Sequence, residues 1–196
     1  DIKATAAGGY IVAGVANSND GDVSGLHGSI NYGDYWMVKL DSSGNIQWQK
    51  CLGGSSEEGA YSIQQTKDGG YIAAGHASSI DGDVSGNHGG YDYWVVKLDG
   101  AGTIQWQKSL GGTNQDDARS IQQTKDGGYI LGGTSSSDIS GNKTENSFGG
   151  LDCWIVKLDK DGKIQWQKTI GGDYVDELRS IEPTFDGGFI VGAYSN

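Results

Sequence analysis

Two stretches place hard oxygen atoms at alternate positions of a glycine-containing loop: SNDGDVSGLHG over Ser18–Gly28 and SIDGDVSGNHG over Ser79–Gly89. An Asp-x-Asp-x-Ser-Gly run is the opening half of an EF-hand-like calcium loop, where carboxylate and hydroxyl oxygens alternate and glycine makes the sharp turn. With Asp81 as the first position, Asp83 and Ser85 follow and Asp92 falls at the twelfth, where a closing carboxylate belongs. In the first copy Asp20, Asp22 and Ser24 open the loop, and a three-residue insertion moves the matching acid to Asp34. A third copy, SSSDISGNKTE over Ser135–Glu145, has Ser136 at the first position and keeps Asp138, Ser140 and Asp152. Calcium held this way would stiffen a loop, at about 1.4 kcal/mol for a ~10⁻⁴ M site in millimolar calcium. The same Asp and Ser residues also make Asx-turns in a solvated loop without any ion. The sequence leaves both readings open.

Little else has the spacing of a reactive constellation. His27 and His88 share a loop position and His76 does not; none has a Cys, Ser or carboxylate partner at a recognised spacing, and the two loop histidines read as solvated. The inter-unit segments LGGSSEEGAYS, LGGTNQDDARS and IGGDYVDELRS each carry an acid at the matched place, Glu58, Asp116 and Asp176. Those acids are expected to accept backbone N–H bonds in a turn. Cys51 and Cys153 fall at unrelated repeat positions and form no metal or redox motif, which leaves two free thiols. With Arg119 and Arg179 the only arginines, no arginine triad for a carboxylated sugar can be assembled.

The elements that must position these loops are β-hairpins. DYWMVKLDSSGNIQWQK at Asp34–Lys50 recurs as DYWVVKLDGAGTIQWQK at Asp92–Lys108 and DCWIVKLDKDGKIQWQK at Asp152–Lys168. Each holds two runs alternating apolar and polar residues around an Asp-x-x-Gly turn. The alternation puts Trp94, Val96 and Leu98 on one face, joined by Ile104 and Trp106 of the return strand, and sends Lys39, Lys97 and Lys157 outward to snorkel. A second hairpin type alternates with the first: SIQQTKDGGYIAAG at Ser62–Gly75, SIQQTKDGGYILGG at Ser120–Gly133, SIEPTFDGGFIVGA at Ser180–Ala193 and a degraded DIKATAAGGYIVAG at Asp1–Gly14. Its glycine pair is expected to supply the positive φ of a two-residue loop.

The period is about 60 residues: Trp36, Trp94 and Trp154 lie 58 and 60 apart, and Trp48, Trp106 and Trp166 follow the same intervals. The units read as residues 1–61, 62–119 and 120–179, with a partial unit at 180–196. Composition agrees, with 35 glycines, one proline, six tryptophans and ten tyrosines among 196 residues, an all-β profile of tight turns and aromatic packing. Four antiparallel strands per unit is the arithmetic of a β-propeller blade, about three blades plus an extra hairpin. Such a unit buries its apolar face only by stacking on a neighbour. Three blades are fewer than the usual four to eight, so a longer propeller or a hairpin shared between chains is expected, with a β-trefoil as the alternative. A formal charge of −11 disfavours a nucleic-acid partner. No run of 18 apolar residues spans a membrane. The absence of an initiator Met and of a signal-peptide core suggests a processed or excised start.

Ser62–Leu110 resembles the delta-60 type propeller repeats of bacterial and archaeal secreted and surface proteins. Those pair a DG-(G/K)-(Y/I)-(I/V)-x-G hairpin with a D-(F/Y)-x-(V/L)-x-(K/R)-(L/Y) strand and a D-x-x-G turn. The Leu98–Trp106 run is also similar to the tryptophan-docking motif of quinone-enzyme propellers, one residue shorter, but no quinone-site residue has a counterpart here. The resemblance covers nearly the whole chain and implies a propeller at the cell surface or outside the cell. Near-identical repeats multiply one surface, whereas an enzyme needs asymmetric residues at one site. The expectation is therefore a non-catalytic extracellular module for surface binding, adhesion or assembly, with a glycan or protein partner. The alternatives are a structural subunit that forms homo-oligomers by hairpin exchange and an accessory domain of a glycan-active enzyme.

Overall fold

The computed structural model describes all 196 residues, and fourteen strands without a helix make three four-stranded antiparallel sheets and one two-stranded sheet. The first sheet holds β1 (Ile2–Ala4), β2 (Tyr10–Ala16), β3 (Asp34–Leu40) and β4 (Ile46–Leu52) in sequence order. The second holds β5 (Glu58–Gln65), β6 (Tyr71–Ala77), β7 (Asp92–Leu98) and β8 (Ile104–Leu110). The third holds β9 (Asp116–Gln123), β10 (Tyr129–Ser135), β11 (Asp152–Leu158) and β12 (Ile164–Ile170). The fourth is the pair β13 (Asp176–Pro183) and β14 (Phe189–Ser195). These are propeller-like blades, each a meander stacked face to face on the next, and not the hairpin barrel of a trefoil. Blades begin four residues earlier than the sequence units, at Glu58, Asp116 and Asp176, because the matched acid of each inter-unit segment is already the first residue of a strand.

Each interface is a separate apolar core. Ile11, Tyr35 and Met37 of the first blade meet Ile63, Tyr71, Trp94, Val96 and Leu98 of the second. Tyr93, Val95 and Leu110 on the other face of the second blade meet Ile121, Tyr129, Trp154 and Val156 of the third. The third blade meets Leu178 and Ile181 through Ile130 and Ile155. Tyr35 crosses to Trp94 edge-on, ring centroids 4.5 Å apart, and its hydroxyl donates to the Trp94 carbonyl at 2.8 Å. Tyr93 packs on Trp154 in a tilted arrangement, centroids 4.7 Å apart, and its hydroxyl donates to the Trp154 carbonyl at 2.9 Å. First strands are also stapled side by side, since Ile121 N–H donates to Ser62 Oγ and Ile181 N–H to Ser120 Oγ, each at 3.2 Å.

The second tryptophan of each hairpin does not share the face of the first. Register shifts between Lys97 and Leu98: Leu98 opposes Ile104, but Lys97 opposes Trp106, so Gln105 is left without a partner as a bulge. A one-residue offset moves every later side chain to the opposite face. Ile104 therefore packs with Trp94, while Trp106 turns forward onto Tyr129 of the next blade. Trp48 does the same to Tyr71 and lies over Gly102, where a Cβ would approach its ring to 3.2 Å. Gly102 also holds φ +80°, so two independent constraints fix glycine in that Asp-x-x-Gly turn.

Two further expectations are corrected. The glycine-pair hairpins are longer than two residues, running from Thr66 to Gly70 with Thr66 N–H bonded to the Gly70 carbonyl. In the last three copies only the first glycine has positive φ (Gly69, +83°), whereas Gly70 is pressed against the Leu98 carbonyl; in the first copy both Gly8 and Gly9 have it. The lysines do not snorkel. Lys39, Lys97 and Lys157 are buried, because a stacked blade covers both faces and alternation no longer points to water. Lys97 Nζ donates to the Leu98 carbonyl and Gln105 Oε1, both at 3.0 Å, and pairs with Asp68 at 2.9 Å. Burial pushes the Asp68 carboxyl up, but the Thr66 hydroxyl and Lys97 outweigh it and hold it at about 2. Lys39 keeps the carbonyl and the glutamine but has no acid, since Ala7 stands where Asp68 would. Lys97→Ala is expected to cost about 2 kcal/mol by orphaning buried acceptors. Asp68→Ala, which recreates the natural state of Lys39, should cost less than about 1 kcal/mol because Asp68 is solvated. Urea midpoints of the two variants check the order.

Candidate functional site

The strands alternate in direction, so the long loops after β2, β6 and β10 emerge at the same end as the segments that join one blade to the next. Hydrogen bonds tie the two sets together: Ser55 N–H donates to Asp81 Oδ1 at 2.8 Å, Gly53 N–H to Asp83 Oδ2 at 3.3 Å and Glu57 N–H to Ser78 Oγ at 3.0 Å. The opposite end carries only tight turns. All chemistry-bearing groups singled out by the sequence therefore meet at the loop end.

The oxygens proposed for calcium are distributed differently from an ion cage. Asp20 and Asp22 are exposed, and Ser24 accepts from Gln49 Nε2 through both its carbonyl and its hydroxyl oxygen. Ser85 takes the same role toward Gln107. Asp81 and Asp83 reach back to the inter-blade segment, and Asp138 accepts from Ser147 N–H while Ser140 Oγ accepts from Thr113 N–H. Asp34, Asp92 and Asp152 open the third strand of each blade and are fully buried. No three Asp, Glu, His or Cys side chains converge as metal ligands, so the oxygens expected to hold calcium are not gathered at one point.

The histidines, expected to be solvated, have carboxylate partners instead. His27 Nδ1 donates to Asp34 Oδ2 at 2.7 Å and His88 Nδ1 to Asp92 Oδ2 at 2.6 Å, and each histidine adds its backbone N–H to the same oxygen. In the third blade, where Lys143 stands at the matching loop position, Phe148 N–H and Ser147 Oγ bind Asp152 Oδ2. Lys143 is itself buried, donating to the Glu145 carbonyl and Thr169 Oγ1. The nearness of an Asp after each loop histidine is the available signal, but the interval is seven residues in one copy and four in the other, and within a loop neither interval fixes a geometry.

A second row of acids lies beside the first. Glu58, Asp116 and Asp176 accept from Gly54, Gly112 and Gly172 N–H at 2.8, 2.7 and 2.7 Å, as expected of turn acceptors. Each also faces the buried strand-opening aspartate across a glycine. A Cβ at Gly111 would lie 2.6 Å from Asp92 Oδ1 and 2.7 Å from Asp116 Oδ2. Oδ1 of Asp34, Asp92, Asp116 and Asp152 has no hydrogen-bond partner. Burial pushes the carboxyls of Asp34, Glu58 and Asp116 up. Burial, assisted by the charge of Asp116 and opposed by His88, takes Asp92 up to about 6.

One cluster breaks the repeat. His76, buried near the end of β6, packs between Tyr61 and Tyr91, centroids 5.4 and 4.6 Å away. Its Nδ1 lies 3.4 Å from Asp117 Oδ1, and Asp117 pairs with Arg119 at 2.7 Å. Arg119 lies over the Tyr61 ring, 4.3 Å from its centroid. Tyr91 donates its hydroxyl to Glu57 Oε2 at 2.8 Å, which, with burial, pushes the phenol up to about 12. Beyond Tyr91 opens a cleft of about 330 Å³ lined by Tyr32, Ser56, Glu57, Ser78, Tyr91 and Gln115, within the size range of small-ligand sites. These residues come from different blades, and His76 was legible only as the one histidine outside the repeat.

No family model matches the chain. It is similar to the regulatory protein FlaEY of Caulobacter vibrioides, 29% identical over 167 residues, covering 80% of this chain but 17% of that protein. It is also similar in fold to a crystal structure of a protein of unknown function from Bacteroides caccae, at TM-score 0.52 and 11% identity, covering 94% of this chain and 50% of that one. At such identity the second likeness concerns the fold alone.

Proposed function

We propose that the protein is a non-catalytic binding module of the cell surface or extracellular space, which presents the loop end of stacked propeller blades to a protein or glycan partner. The observation that carries this is segregation. Every long loop, all three loops of the Asp-x-Asp-x-Ser-Gly type and the cleft beside Tyr91 lie at one end, while the other end carries tight turns. Loops held by a rigid scaffold are where recognition residues concentrate. The paired histidines and aspartates are near-repeats of one arrangement, which multiplies a surface and does not assemble a nucleophile with a base and an oxyanion site.

Immobilised protein is the sample for the test, probed with a glycan array and with basic and acidic peptides. Binding is expected to fall at least fivefold in Tyr32→Ala at the loop end and to be unchanged in Asp161→Asn in a far-end turn. Turnover of any glycan in a hydrolase panel would remove the non-catalytic reading. A second reading, self-assembly, is favoured by one feature: β2, β6 and β10 each pair with a third strand, whereas β14 pairs with β13 alone. A strand from another copy could occupy that edge. Light scattering that stays monomeric up to high concentration would sink it.

A further inference from the structure

The cleft between the loops is half of a recognition unit whose complete form stands next to it. In the complete form Tyr61 supplies an aromatic face, Asp117 a carboxylate and Arg119 the cation that both hold, 4.3 Å from the ring centroid and 2.7 Å from the carboxylate. In the cleft Tyr91 and Tyr32 supply the aromatic surface and Glu57 the carboxylate. No lysine, arginine or histidine nitrogen comes within 4.0 Å of a Glu57 oxygen. His76 packs between Tyr61 and Tyr91 and so joins the two units back to back.

From this juxtaposition we infer that the cleft takes the cationic side chain, ammonium or guanidinium, of a basic segment in a protein partner. The inference rests on the binding-module reading above and names its partner's chemistry. A cation over a tyrosine face is attracted by the ring quadrupole, and more strongly where water is excluded. Glu57 is already oriented by the Tyr91 hydroxyl, so its carboxylate needs no reorganisation to receive a charge. The surroundings favour the same sign: Asp81 and Asp83 stand in the neighbouring loop, and the whole chain carries a formal −11. Such a field raises the encounter rate of a basic ligand and gives a neutral sugar nothing. Ser56, Ser78 and Gln115 complete the lining, with the hydrogen-bonding groups a peptide backbone would need.

The experiment is fluorescence anisotropy with labelled hexalysine and a panel of neutral oligosaccharides, using the whole chain at two salt concentrations. Hexalysine is expected to bind, about fivefold to tenfold more weakly to Glu57→Gln and to Tyr32→Ala than to the unaltered chain. Tyr32 is exposed, so its loss leaves the fold intact. Asp161→Asn, which removes the same charge at the other end, should leave affinity unchanged. Equal weakening by Asp161→Asn and Glu57→Gln would mean attraction by net charge and would overturn the cleft. Binding of a neutral oligosaccharide, lost in Tyr32→Ala, with no binding of hexalysine would overturn the cationic partner and keep the module. No binding of either probe class would remove both.

Discussion

Trp94→Ala is expected to destabilise the protein by about 3–5 kcal/mol, the range for truncating a fully buried tryptophan, whereas Trp166→Ala should cost less than about 1.5 kcal/mol. Trp94 is 0% exposed and fills the interface between the first and second blades, where Tyr35 meets it edge-on and Gln107 accepts its indole N–H at 2.8 Å. Trp166 occupies the forward position of the third blade, is 42% exposed and packs on Phe189 of a two-stranded sheet. Stacked repeats hold together through nearest-neighbour interfaces, so damage at one interface uncouples the units on either side. Urea unfolding of Trp94→Ala should therefore show more than a lower midpoint. The slope should fall, or two transitions should appear, as the first blade separates from the others. Equal losses for the two tryptophans, with unchanged slopes, would mean that the blades do not rely on these indoles as interfacial wedges.

Much of this architecture was legible in the chain. A 60-residue period of aromatic and β-branched alternation leaves few options beyond a meander that must stack, and the strands lie where Trp94, Tyr71 and Ile63 place them. What was hidden depended on register or on the neighbouring blade. The bulge at Gln105 reverses the face of Trp106, and nothing in the regular alternation of TIQWQK announces it. Lys97 alternates with apolar residues as a surface lysine would, yet the next blade and its own Gln105 enclose it. The site was harder still. The EF-hand interval from Asp81 points to Asp92 as a loop ligand, but as the first residue of β7 it turns inward to His88 and Asp116. Glu57 and Tyr91 are 34 residues apart and meet only because two loops of one blade fold over the same end. Sequence spacing has no access to such a pairing.

Acidification from pH 7.5 to about 5 is expected to stabilise the protein, against the usual trend for an acidic chain. Asp92 stands at about 6 in the fold, above the ordinary carboxylate value of 3.8. A carboxyl raised by folding contributes stability that is complete below its unfolded value and lost as pH rises through its folded value. For a gap of this size the full loss is on the order of 3 kcal/mol, of which about half falls between pH 5 and 7.5. Asp34, Glu58 and Asp116 are raised as well and act in the same direction. Among the opposing groups, whose carboxyls are lowered, Asp68 and Asp126 are held at about 2. Their contribution disappears only as pH falls from about 4 toward 2, below the window in question. Asp92→Asn isolates the first effect. The asparagine oxygen can still accept from His88, and the substitution removes the charge that faces Asp116 across Gly111. The variant should be more stable than the unaltered chain by about 1–3 kcal/mol at pH 7.5 and nearly equal to it at pH 4.5, measured by urea midpoints across the range. Should stability instead fall between pH 7.5 and 5, with Asp92→Asn destabilising at pH 7.5, the paired acids must be ionised and neutralised by a cation. A chelator would then have to lower the midpoint of the unaltered chain and leave that of Asp92→Asn in place.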